Sequence, residues 1–357
     1  MNEMTFSRGS FTIDPFVWEH HKVTENRVFV NALLFFPRMA LPKIIAVVGP
    51  TASGKSSLGI EIAKRFDGEV LCVDSRTVYR EMDVGTAKPK GEKEWAGVGK
   101  SGQGIATLFA GGRPLLVDGV PHWGLDLIDP DEEYSISEFK RYADKKIADI
   151  LKRGKLPVLV GGTGLWIRVV VDNLNLAETP PDAKLRFELE GRHLDDLFAE
   201  YKRLDPDGAE AIDRDNKQRV IRALEVTKKT GKPFSKAMSK GTPKYDVLQV
   251  GLTVLREELM SRIDHRVDVM VAEGLIDEAR GLFAKYGADA PGLSAIGYLE
   301  LGYFFAGKAN LAAAIEQIKK DTRSYAKRQE TWFKKYGNVH FVKSNEEALR
   351  QAEGFVG

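Results

Sequence analysis

The stretch GPTASGKSS, residues 49–57, carries the residue types that hold a chain of phosphate groups. Its glycines and the following Lys55 and Ser56 satisfy the pattern G-x-x-x-x-G-K-[ST] between an apolar run and a segment of helical periodicity. Such glycines let backbone amides curl round a polyphosphate, the lysine supplies an ammonium, and the serine hydroxyl can join a Mg²⁺ shell. The predicted diphosphate or triphosphate site comprises Gly49, Thr51, Ala52, Ser53, Gly54, Lys55 and Ser56. The pattern leaves open whether phosphate is transferred or leaves as an intact group.

Polar side chains follow two further predicted strands. EVLCVD ends at Asp74, with Ser75 and Thr77 just beyond it, and LPVLVGG ends immediately before Thr163. Open parallel sheets bind ligands at the carboxyl ends of their strands, so we expect these groups to share a crevice with the phosphate loop. A carboxylate there can accept a proton from a nucleophile or hold Mg²⁺. Asp74 alone does not separate a kinase from another transferase, and a helix-cap role stays open.

The elements that must position these groups alternate between strands and helices. Buried strands are predicted at 44–48, 69–74 and 156–162, and helices at 55–66 and 136–154. This alternation predicts an α/β fold with a P-loop NTPase-like parallel sheet flanked by helices.

Four segments are predicted along the chain. They are an N-terminal extension dispensable for chemistry (1–38), the P-loop α/β core (39–172), a helical insertion without strand signals (173–240), and a C-terminal part that returns to the core through a strand and continues as long helices (241–357). In the last segment Leu259, Ile263, Val267 and Met270 form one apolar stripe. The glycine-rich stretch 97–114 reads as a loop without an assigned role.

Composition narrows the class of protein. Hydrophobic residues make up 43% of the 357 residues and charged residues 29%, which is typical of a globular chain. The single cysteine, Cys72, excludes a disulfide framework and a cysteine zinc site. Since no apolar run approaches the roughly 18 residues that span a bilayer, we expect no membrane partner and a cytoplasmic location.

Basic residues concentrate in two places that suit nucleic acid. Residues 216–244 contain nine lysines or arginines and one acid, Glu225, although the formal net charge of the chain is +2. The nine are Lys217, Arg219, Arg222, Lys228, Lys229, Lys232, Lys236, Lys240 and Lys244. In YAKRQETWFKK, we predict backbone contact by Lys327 and Arg328 and core packing of Trp332 and Phe333.

Seven segments in this order resemble the tRNA dimethylallyltransferase family, also called tRNA isopentenyltransferases. They are GPTASGKS, DSRTVYREMDVGTAKP, YSISEFK, VGGTGLW, KQRVIRALEVTKKTGKP, SAIGYLEL and YAKRQETWF, and together they span roughly residues 43–336. The resemblance implies that the phosphate loop holds dimethylallyl diphosphate with Mg²⁺. It further implies transfer of the prenyl group to the exocyclic amine of the adenosine 3′-adjacent to the anticodon, with the tRNA anticodon stem-loop as partner and the base flipped out of its stack.

The resemblance also implies residue roles. Asp74 would be the general base, Thr163 would lie near the reacting groups, and Arg256 would be directed at the diphosphate. Ser56 is the candidate metal ligand. The tRNA-contacting candidates are Ser75, Thr77, Arg219, Arg222, Lys327 and Arg328. We expect the protein to act as a monomer.

Three positions depart from the family pattern. Thr77 stands where glutamine is common, Trp166 where tyrosine is common, and Leu299 where a basic residue is usual, so contacts with the adenine and its neighbours are expected to differ.

Three other functions stay open. The alternatives are an adenylate isopentenyltransferase acting on free nucleotide, a P-loop small-molecule kinase, and a non-catalytic RNA-binding protein. The helical insertion with its basic stretch argues against the first, since a free nucleotide needs no such surface.

Overall fold

The fold is known from a computed structural model that describes residues 40–92, 114–176, 179–237, 239–336 and 338–357. Within these ranges Ala40–Gly357 forms one compact unit. The predicted extension 1–38 and nearly all of the stretch 97–114 lie outside the described residues.

A mostly parallel sheet forms the centre of the described chain. The strands are β1 (Lys43–Val48), β2 (Gly68–Cys72), β3 (Leu115–Val117), β4 (Val120–Trp123), β5 (Leu156–Gly161), β6 (Leu174–Asn175), β7 (Ser239–Lys240), β8 (Asp246–Leu252) and β9 (Val339–Val342). Seven of those described strands make one sheet in the order β3-β4-β2-β5-β1-β8-β9. Neighbours are parallel except for the antiparallel pair of β3 with β4. The predicted α/β fold class is confirmed.

Helices cover both faces of this sheet. They are α1 (Lys55–Arg65), α2 (Ile136–Lys152), α3 (Gly164–Val171), α4 (Ala183–Glu190), α5 (Leu194–Leu204), α6 (Pro206–Ala211), α7 (Lys217–Thr230), α8 (Phe234–Ala237), α9 (Arg256–Ala272), α10 (Leu275–Tyr286), α11 (Tyr298–Phe305), α12 (Leu311–Tyr336) and α13 (Asn345–Val356). Alternate residues of β1 enter different cores because side chains of a strand point to opposite faces. Ile45 packs with Leu58 of α1, whereas Ile44 packs with Phe139 of α2.

The predicted insertion has its own small core. Leu197 and Tyr201 of α5 pack with Val220 and Leu224 of α7. Contrary to the expectation that strands are absent from this segment, β6 and β7 pair antiparallel at its two ends. Two residues per strand are too few to show the period-2 pattern by which strands are recognised. This pairing brings the start and the end of the insertion together.

The C-terminal part is not purely helical. After the long helix α12, β9 pairs in parallel with β8 at the edge of the sheet, and α13 follows it. The predicted stripe on α9 is confirmed for Leu259, Ile263 and Val267, which are buried. Among the described residues, no helix has the length and apolarity needed to cross a membrane.

Candidate active site

The phosphate loop joins β1 to α1 in the conformation that its glycines permit. Gly49 has a φ of 145° and Gly54 a φ of 95°, both in the region that favours glycine. Gly54 is the N-cap of α1, so the positive end of the helix faces the loop. Ser53 is buried, and its hydroxyl has no hydrogen-bond partner among the described residues. The predicted loop therefore forms between strand and helix with polar groups available to a ligand.

Two partly buried cations lie beside this loop. Burial lowers the pKa of Lys55 to about 8; the Asp74 carboxylate opposes this shift and the Arg266 guanidinium adds to it. Burial also lowers the pKa of Arg266, whose side chain donates to Thr51 Oγ1 at 3.4 Å. The Lys55 ammonium donates to the carbonyl of Pro50 at 3.1 Å. Since buried cations are unfavourable without counter-charge, this pair suits an anion bound in the loop.

We expect the affinity for an alkyl diphosphate to fall as pH rises above about 8, the pKa of Lys55. Because that pKa is depressed, the ammonium is present below it and is lost as pH rises through it. A bound anion favours the ammonium, so binding at higher pH takes up a proton and Kd rises by at most about tenfold per pH unit. Calorimetric titration between about pH 7 and pH 9.5 tests this, since an alkyl diphosphate is fully ionised there. A Kd independent of pH above 8 would contradict it.

Asp74 and the phosphate loop line one cavity of about 460 Å³ at the carboxyl ends of the strands. Asp74 Oδ1 accepts from the backbone N–H of Arg76 at 2.8 Å, which leaves carboxylate capacity for a ligand. In the sheet, β5 lies between β1 and β2, so the loop after β5 separates Asp74 from the phosphate loop. Thr163 lies in that loop and accepts from the backbone N–H of Ser75 at 3.3 Å.

The cavity collects seven of the sixteen predicted site residues. Its lining includes Thr51, Lys55, Ser56, Asp74, Ser75, Thr77 and Arg328. Thr77 Oγ1 is buried without a hydrogen-bond partner in the described chain, so it can bond a ligand. Thr163 is absent from the lining, but it forms hydrogen bonds with two lining residues, Ser75 and Tyr325. Gly49, Ala52, Ser53 and Gly54 shape the loop itself.

Arg256 is not brought to the cavity. It opens α9 as an exposed residue and is absent from the lining, whereas Arg266 of the same helix lines the cavity beside Lys55. The two arginines are ten positions apart, which is nearly three helical turns. In this structure Arg266, and not Arg256, is the arginine of α9 that lies beside the phosphate loop.

Helix α12 contributes groups that the sequence analysis missed. Gln329 accepts from the backbone N–H of Thr51 at 2.9 Å and donates to the carbonyl of Gly162 at 2.9 Å. A Cβ on Gly162 would lie 2.2 Å from Gln329 Nε2, so the glycine is required for this approach. Tyr325 also lines the cavity, and burial together with Asp74 raises its pKa to about 12. Their spacing of four residues places both side chains on one helix face, but this spacing alone does not tell which face turns inward.

The two aromatic residues near the end of α12 pack as predicted. Phe333 is 2% exposed, and Trp332 is partly buried against the same core. Trp166, at a position of departure from the family pattern, also belongs to this core and stacks on Phe139 with ring centroids 4.3 Å apart. It is absent from the cavity lining. Trp166 thus has a packing role.

In the folded structure, carboxylates offset part of the positive charge of the basic segment, residues 216–244. Carboxylates from other elements approach several of its cations, such as Glu200 at 2.6 Å from Lys228 and Asp172 at 3.3 Å from Lys240. Arg222 bonds the fully buried Glu225 at 2.5 Å. The structure therefore gives Arg222 a role inside the insertion.

Three predicted RNA contacts keep exposed cationic groups. Arg219, Lys327 and Arg328 are exposed and have no ion pair among the residues that the structure describes. Arg328 lines the cavity, and its guanidinium carbon lies 5.8 Å from the centroid of the Tyr325 ring. Helix α12 thus carries cations close to the mouth of the cavity.

The cavity offers oxygen donors that fit Mg²⁺. The Ser56 hydroxyl and the Asp74 carboxylate line the same space. Within the described ranges, no group of three or more His, Cys, Asp and Glu residues could hold a metal ion on its own. This matches the way Mg²⁺ usually binds, through one or two protein oxygens together with substrate phosphates and water.

The chain is similar to known proteins over most of its length. The family described as IPP transferase matches residues 77–336. The chain is 38% identical over 314 residues to a tRNA dimethylallyltransferase of Acetivibrio thermocellus, covering 86% of this chain and 93% of that protein. Among solved structures, the full-length tRNA isopentenylpyrophosphate transferase of Bacillus halodurans has a TM-score of 0.61 at 37% identity, with 88% of this chain and 96% of that one covered.

A eukaryotic dimethylallyltransferase acting on tRNA is also similar, with a TM-score of 0.69 at 28% identity, over 88% of this chain and 79% of that one. The matched residues 77–336 include Thr163, Arg266, Gln329 and the whole insertion. The chain therefore belongs to the IPP transferase family, in which its curated relatives are named tRNA dimethylallyltransferases.

Proposed function

We propose that the protein transfers the dimethylallyl group of dimethylallyl diphosphate to the exocyclic amine of the adenosine 3′-adjacent to the anticodon in tRNA, and releases pyrophosphate. The observation that carries this proposal is one cavity lined by both positive and negative groups. Lys55 and Arg266 supply partly buried positive charge, and Asp74 presents a carboxylate to the same space. A leaving anion and a nucleophile that loses a proton need these two groups.

The cations act on the leaving group. As the bond between the allylic carbon and the bridging oxygen breaks, its electron pair stays with the diphosphate while positive charge spreads over the prenyl group. Lys55, Arg266 and the amides at the start of α1 stabilise the growing negative charge. Mg²⁺ held near Ser56 would supply further positive charge to the same oxygens.

Asp74 acts on the acceptor. The amine nitrogen uses its lone pair to form the new bond to carbon and must then lose a proton. Asp74 accepts this proton, and its bond from the Arg76 N–H holds the carboxylate in place. Thr163 fixes the adjacent Ser75 backbone through its 3.3 Å bond, so we assign it a positioning role. Thr77, whose hydroxyl is unpartnered within the described structure, is proposed to bond the flipped base.

The insertion and α12 are proposed to hold the RNA. The insertion, residues 173–240, has its own core and presents the exposed Arg219, and α12 presents Lys327 and Arg328 beside the cavity. A free nucleotide would need neither surface, which favours RNA over AMP as acceptor. Monomeric state and cytoplasmic location stay predictions.

Arg219→Ala should weaken tRNA binding, whereas Arg222→Ala should mainly destabilise the fold. Loss of one phosphate contact lowers the slope of log K against log salt by about 1. Removal of Arg222 deprives buried Glu225 of a 2.5 Å partner and leaves Arg186, for an expected loss of about 2 kcal/mol. Salt-dependent binding titrations and thermal unfolding of both variants check this. Equal salt slopes for wild type and Arg219→Ala would remove Arg219 from the RNA interface.

Nucleoside analysis of tRNA tests the proposed function directly. Cells lacking the protein should lose isopentenyladenosine from tRNA, and reintroduction of the gene should restore this nucleoside. Restoration by a variant without Asp74 and Lys55 would contradict the assignment of the site. Unchanged isopentenyladenosine in cells lacking the protein would contradict the function itself.

A further inference from the structure

Three consecutive backbone amides converge on a carboxylate of α10. Glu278 Oε2 accepts from the N–H groups of Asp83 at 2.9 Å and Val84 at 2.8 Å, and Oε1 accepts from that of Gly85 at 3.0 Å. The Tyr298 hydroxyl donates to Oε1 at 2.6 Å. Successive N–H groups in a turn form an anion-binding concavity. Here the chain fills that concavity with its own side chain.

This contact joins two walls of the cavity. Gly85 and the following Thr86 and Ala87 line one wall, and the segment 294–297, which leads into Tyr298, lines another. A Cβ on Gly85 would lie 2.5 Å from the Tyr298 ring, so the two walls are in direct contact behind the lining. Glu278 bonds both walls at once.

The loop is also anchored at its other end. The Lys88 ammonium donates to the carbonyl of Tyr79 at 2.5 Å, to Asp83 at 2.8 Å and to Asp126 at 2.5 Å. Its side chain is 5% exposed. With both ends bonded, the backbone of residues 83–88 has a defined position, and its orientation toward the opposite wall depends on Glu278.

We propose that Glu278, with Tyr298, is a positioning residue that fixes these two walls relative to each other, and that the acceptor base binds against them. The inference rests on the proposed function and names how the acceptor side of that site is shaped. The groups assigned to the diphosphate, Lys55 and Ser56, lie on the phosphate loop and make no hydrogen bond with Glu278 or Tyr298 in the described structure. We therefore expect loss of the Glu278 contact to impair the reaction of the acceptor tRNA while leaving donor binding unchanged.

Glutamine cannot replace this glutamate. A carboxylate offers two oxygens with about four acceptor positions, and four donors use them here. Glutamine keeps one oxygen and turns an NH₂ group toward backbone N–H donors, and it also removes the charge that strengthens these bonds. Tyr298→Phe is a milder change, because the ring keeps its contact with Gly85 and only the hydroxyl is lost.

The experiment compares Glu278→Gln and Tyr298→Phe with wild type and with Tyr286→Phe. Tyr286 is a matched control, since its hydroxyl donates at 3.0 Å to the exposed Glu81 and it is absent from the cavity lining. We measure kcat/KM for unmodified tRNA, Kd for an unreactive analogue of dimethylallyl diphosphate, and the thermal midpoint. We expect kcat/KM for tRNA to fall on the order of tenfold or more in Glu278→Gln and several-fold in Tyr298→Phe, with donor Kd unchanged in both.

Two results would overturn the inference while leaving the proposed function intact. Either kcat/KM for tRNA is the same as in Tyr286→Phe, or donor affinity and tRNA kinetics decline in parallel with the thermal midpoint. If Glu278→Gln does not fold, Tyr298→Phe decides between these outcomes alone. A wild-type protein that does not prenylate tRNA would overturn the proposed function, and the inference with it.

Discussion

Asp74→Asn should lower kcat for prenylation of tRNA on the order of 10³-fold and leave the affinity for dimethylallyl diphosphate nearly unchanged. Asparagine has the size of aspartate and can still accept from the Arg76 N–H that bonds Asp74 at 2.8 Å. It cannot accept the proton that the acceptor amine must lose. Single-turnover rates with saturating donor and tRNA, together with donor titration, check both parts.

Asp118→Asn is the matched control for this prediction. Asp118 is an exposed turn residue whose nearest ion pair, with Lys64, is 4.0 Å long. Its φ of 51° suits asparagine as well as aspartate. An Asp74→Asn protein with the rate of this control would contradict the general-base assignment.

Lys55→Met should weaken donor binding and lower kcat/KM for the donor by about 10²–10³-fold. Methionine fills much of the space of the partly buried lysine but supplies no charge to the departing diphosphate. Arg266 remains beside the loop, so residual binding is expected. The fall in diphosphate affinity above about pH 8 should disappear in this variant, because the group that titrates there has been removed.

Lys64→Met provides the comparison on the same helix. Lys64 is exposed in the last turn of α1, far along the helix from the phosphate loop. Steady-state kinetics with varied donor should show wild-type values for this control. Normal donor kinetics in Lys55→Met would mean that the phosphate loop does not hold the leaving group.

The phosphate end of the site could be predicted from sequence because its signal is local. The glycines, Lys55 and Ser56 lie within eight consecutive positions, which lead from the end of β1 into the first residues of α1. Asp74 was predictable for a related reason, since the carboxyl ends of parallel strands meet at one edge of the sheet. In both places the strand pattern alone determines the position.

The rest of the site depends on how distant helices pack. Arg266 and Gln329 reach the phosphate loop from α9 and α12, more than 200 residues along the chain, and no local pattern marks which face of each helix turns inward. Sequence alone therefore does not distinguish Arg266 from Arg256 as the arginine beside the loop. The acidic partners Glu200 and Asp172, which lie outside the basic segment, likewise become visible only when the elements are packed.

Short strands are the other elements in which the structure differs from the sequence-based prediction. The pair β6 and β7 has two residues per strand, and the edge strand β9 has four. Windows this short carry too little periodicity to distinguish a strand from a loop. Both are held by backbone pairing with partners that the sequence does not indicate.

A doubly labelled donor tests the central claim most directly. Dimethylallyl diphosphate with ¹⁴C in the prenyl group and ³²P in the diphosphate is incubated with the protein, Mg²⁺ and unmodified tRNA. The account predicts ¹⁴C in the tRNA and all ³²P in released pyrophosphate. Transfer of ³²P to the RNA, or a donor left intact, would contradict it.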